Sequence, residues 1–154
     1  MSDCQRSAQP EIGIDRKVRF LGSSAAYPEQ PTRVERIETH FSWVFLTDFY
    51  VYKLKKPLRG EGFDFSSLEA RRRNAEAELR LNRRLACDLY LGVVPLTLEV
   101  GRDLAIAGPG VAIDWLVKMV RLPAAPRIRD REKWPKRAAE YLAIASRAAQ
   151  HLES

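Results

Sequence analysis

The residues best placed to do chemistry are two lysines and two glutamates. Lys53 lies in the run Phe49-Tyr50-Val51-Tyr52-Lys53-Leu54-Lys55, whose aromatic and β-branched residues suit a half-buried strand. A lysine in such surroundings either snorkels to water or needs an anionic partner, because an unpaired buried ammonium is costly. The anion can be a phosphate of a ligand, a carboxylate of the chain, or both. Lys55 shares the face of Lys53 by parity, so alternation alone does not choose between them. Lys53 is preferred because Lys55 abuts Lys56-Pro57, where the strand is expected to leave its sheet. The competing reading is an ordinary exposed strand lysine. The glutamates, Glu76 and Glu78, fall in an Ala/Leu/Arg/Glu-rich stretch and lie about 200° apart on a helix. Glu78 shares its side with Ala75, Leu81 and Leu85, the side expected to face a sheet, and a glutamate there wants a cation. Glu76 points towards Arg72, Arg73, Arg80 and Arg83, as surface i,i+4 partners do. Lys53 and Glu78 are therefore expected to pair.

Other chemistries find little support. There is no G-x-x-x-x-G-K-[ST] loop and no G-x-G-x-x-G fingerprint, since Gly60-Glu61-Gly62 is too short to count. Neither G-x-S-x-G nor H-E-x-x-H occurs. Cys4 and Cys87 are lone thiols, and His40 and His151 are the chain's two histidines, so neither a disulfide framework nor a metal centre is expected. The net charge of +6 favours anionic partners in general. However, Arg71, Arg72, Arg73, Arg80, Arg83 and Arg84 are interleaved with Glu69, Glu76 and Glu78, which reads as a salt-bridged face rather than a nucleic-acid footprint. No run of eighteen apolar residues and no signal-like start appear, so a reduced cytoplasmic protein without membrane contact is expected.

Stepping along the chain, 154 residues suggest one domain. Residues 1–17 read as a flexible leader, Val18-Arg19-Phe20-Leu21 as a short apolar element, and ordered structure is expected to begin near Val34. Residues 40–55 predict a β-hairpin, Phe41, Trp43 and Phe45 alternating with Ser42, Val44 and Leu46. An irregular linker with Gly60 and Gly62 follows. Ser66-Ser67-Leu68-Glu69 is a capping-box pattern, Ser66 with a glutamate three residues on, and opens a helix running to about Ala86. Val93–Val100 predicts a strand that Pro95 would demote towards an edge. A turn at Gly101-Arg102-Asp103 leads to Leu104-Ala105-Ile106, and Val111 to Met119 alternate as a buried strand. A linker and an amphipathic C-terminal helix, with Trp134, Tyr141, Ile144 and Ala148 near one face, occupy 124–154. The order of elements predicts an α+β domain with an antiparallel sheet.

Several blocks at compatible spacing carry a resemblance. They are Glu38-Thr39-His40-Phe41-Ser42-Trp43-Val44-Phe45-Leu46, Val51-Tyr52-Lys53-Leu54-Lys55-Lys56-Pro57, Leu79-Arg80-Leu81-Asn82-Arg83-Arg84-Leu85-Ala86, Leu89-Tyr90-Leu91-Gly92-Val93 and Trp115-Leu116-Val117-Lys118-Met119. Together, over residues 18–123, they resemble the N-terminal part of bacterial aminoglycoside-phosphotransferase-like kinases, a branch sometimes fused to a separate P-loop domain. The resemblance implies a protein-kinase-like small lobe: about five antiparallel strands with one long helix packed on them. It implies that Lys53 is the ATP lysine and Glu78 its helix partner. It further implies that Thr39-His40-Phe41-Ser42 is a nucleotide-positioning loop contacting phosphate through the Ser42 hydroxyl and backbone N–H groups. Lys118-Met119-Val120-Arg121 would be the hinge, with Met119 and Val120 hydrogen-bonding adenine. The departure lies beyond Leu122. Asp130 is the sole aspartate there, Ile128 stands where H-R-D would require His, and Pro135 stands where the Mg²⁺-binding Asn would be. The expectation is thus a truncated ATP-binding lobe that binds nucleotide and does not catalyse alone, with Mg²⁺ and a second polypeptide as a C-lobe needed for phosphoryl transfer. The alternative is a non-catalytic interaction module built on a degenerate lobe.

Overall fold

The computed structural model of the chain describes residues 11–122. In order these are helix α1 (Ile14–Leu21), a 3-10 turn (Ser24–Ala26), strands β1 (Glu35–Glu38), β2 (Ser42–Leu46) and β3 (Tyr50–Lys55), then the small hairpin β4 (Arg59–Gly60) and β5 (Phe63–Asp64). Helix α2 (Leu68–Arg83), β6 (Tyr90–Leu98), β7 (Leu104–Ile106) and β8 (Val111–Val120) follow. Six strands form one sheet in the order β1-β2-β3-β8-β6-β7, every pair antiparallel. The chain is therefore α+β, with one strand more than expected. The linker and helix expected over 124–154 lie outside the described residues, as does most of the leader. No helix among the described residues is long and apolar enough to cross a membrane.

Side-chain alternation explains the layering. The registers put Phe45, Tyr52, Leu54, Leu96 and Leu116 on one face, all fully buried, and Val18 and Leu21 of α1 join the same core. Tyr27 completes it, with its ring 4.9 Å from that of Tyr52 and its hydroxyl donating to the Leu21 carbonyl at 2.6 Å. Burial raises the pKa of both phenols above the ordinary tyrosine range. Two sequence expectations fail here. The leader does not run to residue 17, and order does not wait for Val34, because Ile14, Lys17-Val18 and Leu21 recur at helical spacing and bury one side of α1.

The opposite face carries Val44, Val51, Lys53, Lys55, Trp115, Val117 and Met119, and α2 packs across part of it. Its cap differs from expectation. Ser67, not Ser66, accepts from the Ala70 N–H at 3.1 Å, while Ser66 turns to Asp64, so the reciprocal glutamate of a capping box is absent. The expected irregular linker contains β4 and β5, whose turn passes through Gly62 at φ 81°, a conformation glycine adopts freely. The edge expected at Pro95 is half right. β6 lies between β8 and β7, yet β7 covers it only from Leu96 onward, so Pro95 stands where an amide hydrogen is least needed.

Asp114 of β8 joins the layers. Fully buried, it accepts from Lys17 of α1 at 2.8 Å and from Arg71 Nε of α2 at 2.9 Å, and Arg71 also donates to the Phe65 and Ser66 carbonyls. Both cationic side chains are only 7% exposed. Removing the carboxylate leaves two buried cations facing one another, which costs far more than removing one of them. Asp114→Asn is expected to lower unfolding stability by about 3 kcal/mol or more in urea titration. Lys17→Met, which keeps the Arg71–Asp114 pair, should cost clearly less; equal losses would contradict a central role for Asp114.

Candidate functional site

The open part of the α2-bearing face holds the sequence's candidate pair. Lys53 on β3 points towards α2 because it shares parity with Val51 and Val117, its register partner on β8. Glu78 points towards β3 because it lies three residues beyond the buried Ala75 and seven beyond Arg71, one side of the helix. The two meet at 2.8 Å, Nζ donating to Oε1, with side-chain exposures of 28% and 16%. Tyr90 at the start of β6 flanks the carboxylate, and its phenol pKa is pushed up by burial and then by the Glu78 charge. The helix face is not the one expected in full. Leu81 and Leu85 are 58% and 62% exposed, so beyond Glu78 these two leucines do not face the sheet. Glu76 does pair with Arg72, at 3.2 Å.

Lys55, the residue that alternation could not separate from Lys53, has a different environment. Its ammonium lies 5.0 Å above the Phe65 ring and has no carboxylate partner among the described residues. Burial lowers its pKa from 10.5, the Lys53 charge lowers it further, and Glu78 raises it in part. Phe65 belongs to an aromatic cluster with Phe41 and Phe63, their centroids 5.1 to 6.4 Å apart. The cluster bridges the β1–β2 turn and the hairpin β4–β5, a contact that sequence reading missed because its members are separated by an apparent loop.

Ser42 is fully buried and faces Lys55 across the β2–β3 ladder. Its hydroxyl is sealed from solvent without a hydrogen-bond partner, and its N–H donates to Thr39 Oγ1 at 3.0 Å. The phosphate contact expected of Ser42 is therefore not available in this structure. Met119 and Val120 are also placed otherwise than expected. Both are strand residues of β8: Met119 stands between Val51 and Tyr90, and the Val120 N–H donates to the Leu89 carbonyl at 2.8 Å. The Arg121 N–H is bonded to the Phe49 carbonyl at 2.8 Å. The sheet thus runs further than the residue pattern suggested, and a free hinge edge would begin no earlier than Leu122.

Sequence reading also passed over Asp114, seeing only the polar half of an alternating strand. A carboxylate between Ile113 and Leu116 in so apolar a run was itself a sign of a buried charge requiring cations.

No family model and no solved structure matches the chain. Over 60 residues it is 40% identical to an uncharacterized protein of Mycobacterium tuberculosis and, to the same extent, to one of Mycobacterium bovis. That match covers 39% of this chain and only 12% of each relative's length.

The half-buried pair should be energetically coupled. A double-mutant cycle with Lys53→Met and Glu78→Gln is expected to give a coupling of about 1–2 kcal/mol in denaturant titration. Additive losses would mean that the pair is no more than a solvated surface contact. For Lys55, the lowered pKa means that the unfolded chain binds more protons than the native one between that value and 10.5. The contribution of Lys55 to stability should therefore rise with pH across this window. The difference in urea midpoint between wild type and Lys55→Met should grow with pH in favour of wild type.

Proposed function

We propose that the protein is a nucleotide-binding lobe of the aminoglycoside-phosphotransferase-like kinase kind, binding ATP and not catalysing phosphoryl transfer by itself. The observation that carries this reading is the 2.8 Å pair from Lys53 on the third strand to Glu78 on the following long helix. In kinases this pair fixes the ammonium where it meets nucleotide phosphates. The strand order supports the reading: setting aside the small hairpin and β7, it is first-second-third-last-fourth, with the helix connecting the third and fourth on the Lys53 side. Val44, Val51 and Met119, half-buried on that face, would offer an apolar floor to a base or ribose.

On this reading Lys53 holds phosphate and Glu78 holds Lys53. The amides of Val120 and Arg121 are already bonded, so they do not read an adenine edge. Mg²⁺ and the acidic residues that bind it come from a second lobe outside these residues. Leu81, Leu85 and Leu91 are exposed at the end of the molecule where Arg83 ties α2 to the Tyr90 and Leu91 carbonyls, and they are suited to meet such a lobe. The same exposure favours, as a second reading, an interaction module that needs no nucleotide.

Calorimetric titration with MgATP separates the two. Wild type is expected to bind, and Lys53→Ala to bind roughly tenfold or more weakly, as for loss of a charge-assisted hydrogen bond. Identical titrations of the two proteins would remove Lys53 from the site, and no binding by wild type would favour the interaction module.

A further inference from the structure

We propose that Lys55 is a second anion-binding residue of this face, receiving the outer phosphates of a polyphosphate ligand while Lys53 stays bound to Glu78. The proposal deepens the nucleotide reading and rests on it for the identity of the ligand, but its geometry stands separately. Two ammonium groups, Lys53 and Lys55, project from one side of β3, and one carboxylate, Glu78, faces them from α2. That carboxylate is engaged with Lys53 at 2.8 Å. Lys55 therefore brings an uncompensated charge to a half-buried position, an arrangement that is unfavourable without an anion.

The surroundings of Lys55 are built rather than accidental. Its stem lies along the β2–β3 ladder opposite Ser42, and the Phe65 ring supports the ammonium from below at 5.0 Å. Phe65 is in turn held by Phe63, stacked at 5.4 Å, and by the edge of Phe41. A ring face attracts a cation without neutralising it, so the group is positioned while its hydrogen-bonding protons remain available. The buried Ser42 hydroxyl, unpartnered, lies on the same side. The neighbouring turn adds direction: the N–H groups of Thr39 and Ser42 are bonded within it, whereas those of His40 and Phe41 have no acceptor among the described residues.

The expected division of labour is that Lys53, fixed by Glu78, meets the phosphate nearer the nucleoside. Lys55, reaching out beside the β1–β2 turn, meets the terminal ones. Lowered basicity from burial and from Lys53 is consistent with a group waiting for an anion.

Titration of the full chain with inorganic tripolyphosphate, and separately with MgATP, tests the proposal on wild type, Lys55→Gln, Lys55→Arg and Lys53→Gln, with circular dichroism confirming that each variant is folded. Lys55→Gln is expected to weaken tripolyphosphate binding roughly tenfold or more, and Lys55→Arg, which keeps the charge, to restore most of it. Tripolyphosphate should also protect Lys55 from acetylation by an activated ester, read by mass spectrometry, an effect that a purely structural lysine would not show. Unchanged tripolyphosphate affinity in Lys55→Gln, or no protection, overturns the proposal even if MgATP binds. Tripolyphosphate binding that depends on Lys55, in a protein indifferent to MgATP, supports the anion site and overturns the nucleotide reading alone. A wild type that binds neither overturns both.

Discussion

Asp114 is the point through which the three layers are connected. A carboxylate within a central strand, fully buried, must be met by cations, and it is met by two, Lys17 of α1 at one oxygen and Arg71 of α2 at the other. Two separate helices are thereby referred to one atom group. Desolvating three charges together is costly, and such a cluster is no guarantee of stability compared with an apolar equivalent. What it supplies is specificity of placement: α2 slides or rotates only by breaking a buried ion pair along with the Arg71 bonds to Phe65 and Ser66.

That constraint reaches the candidate site through the helix. Arg71 and Glu78 are seven residues apart, close to two helical turns, so they project from the same side of α2. Once Arg71 is fixed on β8 at Asp114, Glu78 is presented to β3 at the height of Lys53. The Ser67 cap ends the helix one turn before Arg71, and the Phe41–Phe63–Phe65 cluster anchors the approach to it. The site pair is therefore the distal contact of a helix whose proximal contact is structural. A half-exposed ion pair by itself would hold a helix only weakly; the buried cluster makes the Lys53–Glu78 geometry a consequence of the fold.

The same organisation explains why the face remains open for a ligand. α2 covers the sheet over β8 and β6 and leaves β2 and β3 uncovered beyond Lys53. On the other side, α1 and the Tyr27 segment pack against the core. Apolar and cationic groups thus share one face, half-buried Val44, Val51 and Met119 beside Lys53 and Lys55.

Local pattern was sufficient for the hairpin β2–β3, for the existence of α2 and for the expectation that Lys53 and Glu78 share an ion pair, because periodicities of 2 and 3.6 state which residues lie on one face. It was not sufficient for α1, which it divided between a leader and a short apolar element at Val18, whereas Lys17 has a buried partner ninety-seven residues away. Nor could alternation separate Lys53 from Lys55, and the preference for Lys53 rested on Pro57 alone. Parity is identical for the two, and only the crossing of α2 over β3 decides which ammonium meets Glu78 and which rests on Phe65. The extent of β8, which draws the Val120 amide into the fold, was likewise fixed by its neighbours and not by its own residues. Sequence alone determined the hairpin β2–β3, the long helix α2 and the candidate pair, since these follow from spacing along the chain. Tertiary structure decided which lysine is paired with a carboxylate and which rests on an aromatic ring, since that depends on elements that are distant in sequence arriving at the same few ångströms.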